Sequence, residues 1–228
     1  MTTVAKAAAA LLVACTSTAF ADVVIQSRFS ELRHSFSNRA PFPPSYSHTV
    51  STTAMGPVTL TTPSGESFAS SVTSQAITAQ LRGLSSSDGF GGDTATSRQT
   101  RLEVVFQVTD LPAQVTIVLN GQSFPAGNAS FLLRNDATSQ TLFHSDSNAV
   151  ITGFIPEARW TSATWSGTLA PGVYRVIGIA NGAMTYSHGG GSGSDGGGSL
   201  NVNMTLTPAP GAAALLALAA LPSLRRRR

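Results

Sequence analysis

The stretch RLEVVFQVTD, residues 101–110, places Leu102, Val104, Phe106 and Val108 on one face, with Arg101, Glu103, Gln107 and Thr109 mostly opposite. Successive side chains of an extended strand point to opposite sides of a sheet, so this period of two marks a strand with one buried face. After a short Leu111-Pro112 break the alternation resumes at Val115, Ile117 and Leu119, and Asn120-Gly121 then predicts a tight turn with positive φ. Further on, 131–134 and 141–144 flank Asn135-Asp136, a second hairpin signal.

The same reading extends in both directions. An apolar run at 149–155 predicts a strand, Trp165, Gly167 and Leu169 share a face, and Pro171-Gly172 precedes the nearly continuous apolar run 173–180. Leu200, Val202, Met204 and Leu206 alternate with Ser199, Asn201, Asn203 and Thr205 and run into Pro208. Residues 57–60 and 76–84 predict additional strands, while no sustained 3.6-residue apolar period occurs between Asp22 and Thr207. Seven to nine short strands with intervening turn signals predict an all-β fold, an antiparallel β-sandwich of immunoglobulin-like or jelly-roll type. Residues 39–47, with Pro41, Pro43 and Pro44, and the Gly/Ser-rich 188–199 are expected to be loops.

Both ends of the chain read as targeting segments. Lys6 provides a short positive region, residues 7–14 an apolar one, and Ala19-Phe20-Ala21 a small-x-small cleavage site, which would make Asp22 the first mature residue. Leu12-Val13-Ala14-Cys15 resembles a lipobox, so lipidation of Cys15 is the alternative; cleavage after Ala21 would instead leave a mature chain without any thiol. At the other end, residues 211–224 are Ala, Leu and Gly apart from Pro222 and Ser223, and Arg225, Arg226, Arg227 and Arg228 follow. Fourteen helical residues span about 21 Å, less than the roughly 30 Å of a bilayer core, but arginine stems can snorkel and extend the span. The arginine cluster should stay on the cytoplasmic side.

Pro208, Ala209, Pro210 and Gly211, the apolar segment and the arginine cluster together resemble the PEP-CTERM sorting tail, with Ala209 standing where that family usually has Glu. The resemblance implies membrane residence, handling by an exosortase-like processing enzyme, and a role at the cell surface or in extracellular matrix. The run from Ser166 to Tyr174, Ser-Gly-Thr-Leu-x-Pro-Gly-x-Tyr, resembles segments found in β-sandwich bodies ahead of such tails. The expected organisation is therefore a signal peptide at 1–21, a sandwich body at 22–207 and a sorting tail at 208–228.

Charge narrows the possible partners. The chain carries 14 Lys+Arg and 11 Asp+Glu. Lys6 and the four terminal arginines lie in the targeting segments, leaving 9 basic against 11 acidic residues in the body, a net charge of −2. A nucleic-acid surface needs a basic stripe on the folded domain, and the body's charges are scattered. No nucleic-acid partner is expected.

The body offers little chemistry. His34, His48, His144 and His188 lack metal-ligand spacing, so neither a metal nor a cofactor is expected, and His144 reads as a strand residue facing water. No Gly-x-Ser-x-Gly elbow occurs, and among Glu31, Glu66, Glu103 and Glu157 no carboxylate is singled out for glycoside hydrolysis. Residues 190–195 resemble part of a calcium-binding nonapeptide, but Gly197 stands where an apolar anchor is needed, so a linker is expected. Trp160, Trp165, Tyr174 and Tyr186 are candidate sugar-stacking residues, with core packing the simpler role. The expected function is non-catalytic. The alternatives are a carbohydrate-binding or adhesion module for extracellular polysaccharide, marked by an exposed aromatic pair, or a secreted hydrolase with a Ser/His or carboxylate cleft.

Overall fold

The structure, a computed structural model, describes residues 22–38, 45–83, 94–123, 127–148, 159–186 and 196–208. These residues form twelve strands and no helix: β1 (Val23–Asn38), β2 (Tyr46–Thr52), β3 (Gly56–Thr61), β4 (Ser67–Val72), β5 (Ala76–Arg82), β6 (Thr94–Val108), β7 (Ala113–Ser123), β8 (Gly127–Asn135), β9 (Thr141–Asn148), β10 (Arg159–Leu169), β11 (Gly172–Tyr186) and β12 (Gly198–Pro208). Two six-stranded sheets result, ordered β2-β1-β6-β11-β8-β9 (sheet A) and β10-β7-β12-β5-β4-β3 (sheet B). Every pairing is antiparallel. The fold is a β-sandwich.

The alternations quoted above build the core. Leu102, Val104, Phe106 and Val108 of β6 are each at most 1% exposed and share one core cluster with Ile77 and Leu81 of β5, Ile117 and Leu119 of β7, and Val202 and Met204 of β12. Truncating such a side chain typically costs about 2–5 kcal/mol, which makes these four strands the mechanical centre of the domain. Trp165 lies over Gly167, where any Cβ would meet the indole ring, and stacks on Phe143 with centroids 5.9 Å apart. Tyr174 stacks on Phe106 at 5.7 Å and donates its hydroxyl hydrogen to the carbonyl of Ala170 at 2.8 Å.

Several expectations are corrected. Asn120-Gly121 is not a turn; both residues lie inside β7 and are paired on both sides, with Ser162 and Thr161 of β10 and with Asn201 and Leu200 of β12. Two flanking strands supply ladder hydrogen bonds that outweigh a dipeptide's local preference. The Asn135-Asp136 hairpin does form, through a longer connection in which Asn135 Oδ1 accepts from the amides of Ala137 and Thr138 and Ser139 takes positive φ. Tyr46 and Ser47 begin edge strand β2, and Gly198 and Ser199 begin β12. The strand expected at 149–155 lies outside the described residues.

Gly198 is buried because two backbones meet there: a Cβ at that position would strike the carbonyl of Asn128, and one at Gly182 would strike the carbonyl of Gly83. Gly83 also donates to Gly198 at 2.7 Å. Glycine is required at such a crossing because only a missing side chain lets the sheets converge.

Candidate functional site

The two outer faces differ in chemistry. On sheet A the charges are ordered into ion pairs: Arg33 with Glu31 at 2.8 Å, Arg101 with Glu103 at 2.6 Å, and Arg175 bridging Glu103 and Asp136. The hydrogen bonds from Arg175 hold the Asp136 carboxyl below the usual carboxylate range, and Asp136 in turn pushes the guanidinium of Arg175 up. On sheet B, the outward positions of the six strands read Thr59, Ser71, Thr78, Gln80, Asn201, Asn203, Thr116, Asn120, Thr164 and the like. Among the described residues only Arg82 carries charge there.

A groove of about 510 Å³ crosses β3, β4, β5 and β12 on this neutral face. Thr59, Ser71, Thr78, Gln80 and Asn201 line it beside Pro57 and Ala69. None of those five polar side chains makes a hydrogen bond to another described residue. On β7 and β10, by contrast, Gln114 Nε2 donates to Thr168 Oγ1 at 2.9 Å, and the hydroxyls of Thr116 and Ser166 lie 3.3 Å apart. Strand alternation puts the groove's hydroxyls and amides outward because the intervening Phe68, Ile77, Ala79 and Val202 belong to the core.

A second polar region opens between the sheets beside β1 and β2. Tyr46 stacks on Phe36 at 5.5 Å and on His48 at 5.0 Å, and meets His34 edge-on at 5.4 Å. His34 Nδ1 lies 2.8 Å from Ser64 Oγ, which also lies 2.9 Å from Thr62 Oγ1. Burial pulls the His34 imidazole below its ordinary value; Glu66 opposes this, while Arg98 and His48 add to it. Ser64 and His34 are the nearest approach to a hydrolytic pair, but Glu66 is engaged by Arg98 rather than orienting the imidazole. The described glutamates are each held by arginine: Glu31 by Arg33, Glu66 by Arg98, and Glu103 by Arg101 and by Arg175, which also holds Asp136. Glu157 lies outside the described residues.

Sequence reading passed over this region and a third feature, the buried guanidinium of Arg28. At 2% exposure it pairs with no carboxylate among the described residues; its nitrogens donate to Ser30 Oγ, the carbonyls of Ala54 and Gly56, and Ser70. The signal that could have revealed it is the inward row Arg28, Ser30, Leu32, His34 and Phe36, whose alternation is masked by polar members.

The aromatic candidates separate cleanly. Trp165 packs against the core and Tyr174 is buried in it, so neither is free to stack on a sugar; the side chains of Trp160 and Tyr186 lie outside the described residues. His144 is exposed, as expected. Among the described residues, no group of three His, Cys, Asp or Glu could hold a metal ion, and no helix is long and apolar enough to cross a membrane. Asp22 is exposed immediately before β1, and Pro208 is the last residue of β12. Cys15, Ala19, Ala21, Ala209, Pro210, Gly211 and Arg225 to Arg228 lie outside the described residues.

No protein-family model matches the chain, and no curated protein does. Among solved structures, the VP2 subviral particle of infectious bursal disease virus aligns over 82% of this chain and 57% of that one, with 10% identity and a TM-score of 0.22. A likeness at that level informs neither fold nor role.

Proposed function

We propose that this is an exported protein held at the membrane by its PEP-CTERM-like tail, presenting a β-sandwich at the cell surface or in extracellular matrix for binding rather than catalysis. One observation supports the reading above others: Asp22 and Pro208 lie at the same pole. The Asp22 carbonyl accepts from the amide of Thr109 at 2.9 Å and from its hydroxyl at 3.1 Å, while Pro208 pairs with Ala113. The two ends of the sandwich are thus tied to either side of one short connection, 109–112. A chain cleaved after Ala21 would begin at the edge of the fold, and its tail would leave from that same edge. The opposite pole and both sheet faces would stand clear of the lipid.

Within this reading the sandwich is immunoglobulin-like rather than a jelly roll. β7 pairs with β10 in one sheet and β8 with β11 in the other, while the steps β7 to β8 and β10 to β11 each change sheets. That interlocking matches the B, C, E and F strands of the immunoglobulin arrangement, and the Tyr174–Ala170 bond falls at the corner where a tyrosine corner belongs.

Mass spectrometry of protein recovered from its source should find Asp22 as the first residue; a diacylglyceryl Cys15 would select the lipobox instead. Replacing Arg225 to Arg228 by serine should disturb membrane retention or processing by an exosortase-like enzyme. Unchanged fractionation of that variant, or recovery of the untrimmed chain as a soluble cytosolic species, would overturn the proposal.

A further inference from the structure

We infer that the groove on the outer face of sheet B binds an uncharged polysaccharide chain, with Thr78 and Asn201 among its principal contacts; this deepens the surface-binding reading and rests on it. Charge argues for the ligand class. Among the described residues the outer face of sheet B carries one charged side chain, Arg82, and it lies outside the groove, whose lining contains none. An acidic glycan or a nucleic acid would find no cation in the groove to offset its own desolvation, and a basic peptide no carboxylate. A neutral polyol loses far less on leaving water.

Hydrogen-bonding capacity argues the same way. Thr59, Ser71, Thr78, Gln80 and Asn201 carry both donors and acceptors and have no partner among the described residues, so they can bond a sugar without first breaking a bond within the protein. Their spacing is regular: Asn201 sits beside Gln80, and Thr78 beside Ser71, in adjacent rows of the sheet. Strands stand about 4.8 Å apart and like-facing residues about 6.8 Å apart along a strand, a grid able to meet successive hydroxyls of an extended chain. Pro57 and Ala69 provide small apolar surfaces against which the C–H faces of sugar rings can lie. On β7 and β10, Gln114 and Thr168, and Thr116 and Ser166, already engage one another, whereas the concave part of the face is the groove across β3, β4, β5 and β12.

Affinity electrophoresis of the full-length chain in a polyoxyethylene detergent, with laminarin, dextran or hydroxyethylcellulose in the gel and alginate as the acidic comparator, tests the assignment. At least one neutral glucan should retard the protein and alginate should not. Thr78→Asp and Asn201→Asp place an unmatched charge in the groove and should weaken retardation about tenfold or more, while Thr78→Ser should retain it. Thr164→Asp, on the same face but outside the groove, should bind as the parent does. Denaturation midpoints of all variants separate lost binding from lost fold. Absence of retardation by all three glucans, equal retardation by alginate, equal loss in Thr164→Asp, or a dimer abolished by Asn201→Asp with no glucan binding would each overturn the inference. Binding by purified protein does not depend on where the cell puts it, so failure here leaves the export reading standing, and mislocalisation leaves the groove standing.

Discussion

The hydroxyl of Tyr174 reaches back across the β10–β11 corner to the carbonyl of Ala170, 2.8 Å away, while its ring stacks on Phe106 in the core. The bond ties the point where the chain leaves sheet B for sheet A. Burial also raises the pKa of the phenol, so the hydroxyl remains a donor at any ordinary pH. Tyr174→Phe keeps the ring and removes only the bond; it should cost about 1–1.5 kcal/mol in urea denaturation with the slope of the transition unchanged. A loss below a few tenths of a kcal/mol would show that the corner is held by packing alone.

Arg28 offers a sharper test because its charge is buried among neutral acceptors. Arg28→Ala strands the carbonyls of Ala54 and Gly56 and the hydroxyl of Ser70, and should cost about 3 kcal/mol or more. Arg28→Lys preserves charge but cannot span acceptors on both the β2–β3 connection and β4, so denaturation should place it between parent and alanine.

Gly182→Ala drives a methyl group into the Gly83 backbone where β11 and β5 converge. Because the obstruction is main chain and cannot rotate away, the substitution should destabilise by about 3 kcal/mol. Gly65→Ala is a useful comparison: its Cβ would meet nothing, and any cost would come from its positive φ of 84° alone. A loss at Gly182 no larger than at Gly65 would overturn the close approach.

His34 predicts a pH dependence whose sign follows from its lowered pKa. The unfolded chain takes up the proton as pH falls through about 6.5, whereas the folded ring, partly desolvated beside Arg98 and His48 and near Glu66, takes it up only lower. Its contribution is complete above that value and declines as pH falls, until the folded ring is protonated as well. Denaturation midpoints measured between neutral and mildly acidic pH should therefore fall less steeply in His34→Asn than in the parent. An identical slope would show that the half-exposed ring is screened by solvent.

The alternations at 101–110 and 199–206 made an all-β sandwich legible in the sequence, because burial of one face of a strand writes itself as a period of two. The expectation of targeting signals at the two ends rests on uniform apolarity and clustered charge, which need no fold to be read. Other features came only from the tertiary structure. β1 was hidden because its inward row mixes Arg28, Ser30 and His34 with Leu32, and such residues are tolerated inside only where Ser70, Ser64 and the Ala54 and Gly56 carbonyls arrive from distant strands to meet them. Asn120-Gly121 looked like a turn until two neighbouring strands were seen to pair with it. The neutral groove likewise belongs to no segment: Thr59, Ser71, Thr78 and Asn201 are unremarkable strand residues in sequence, and only the order β12-β5-β4-β3 sets them side by side. Local pattern decides which face of a strand is buried, but hydrogen bonds between strands far apart in the chain decide which side chains share a surface.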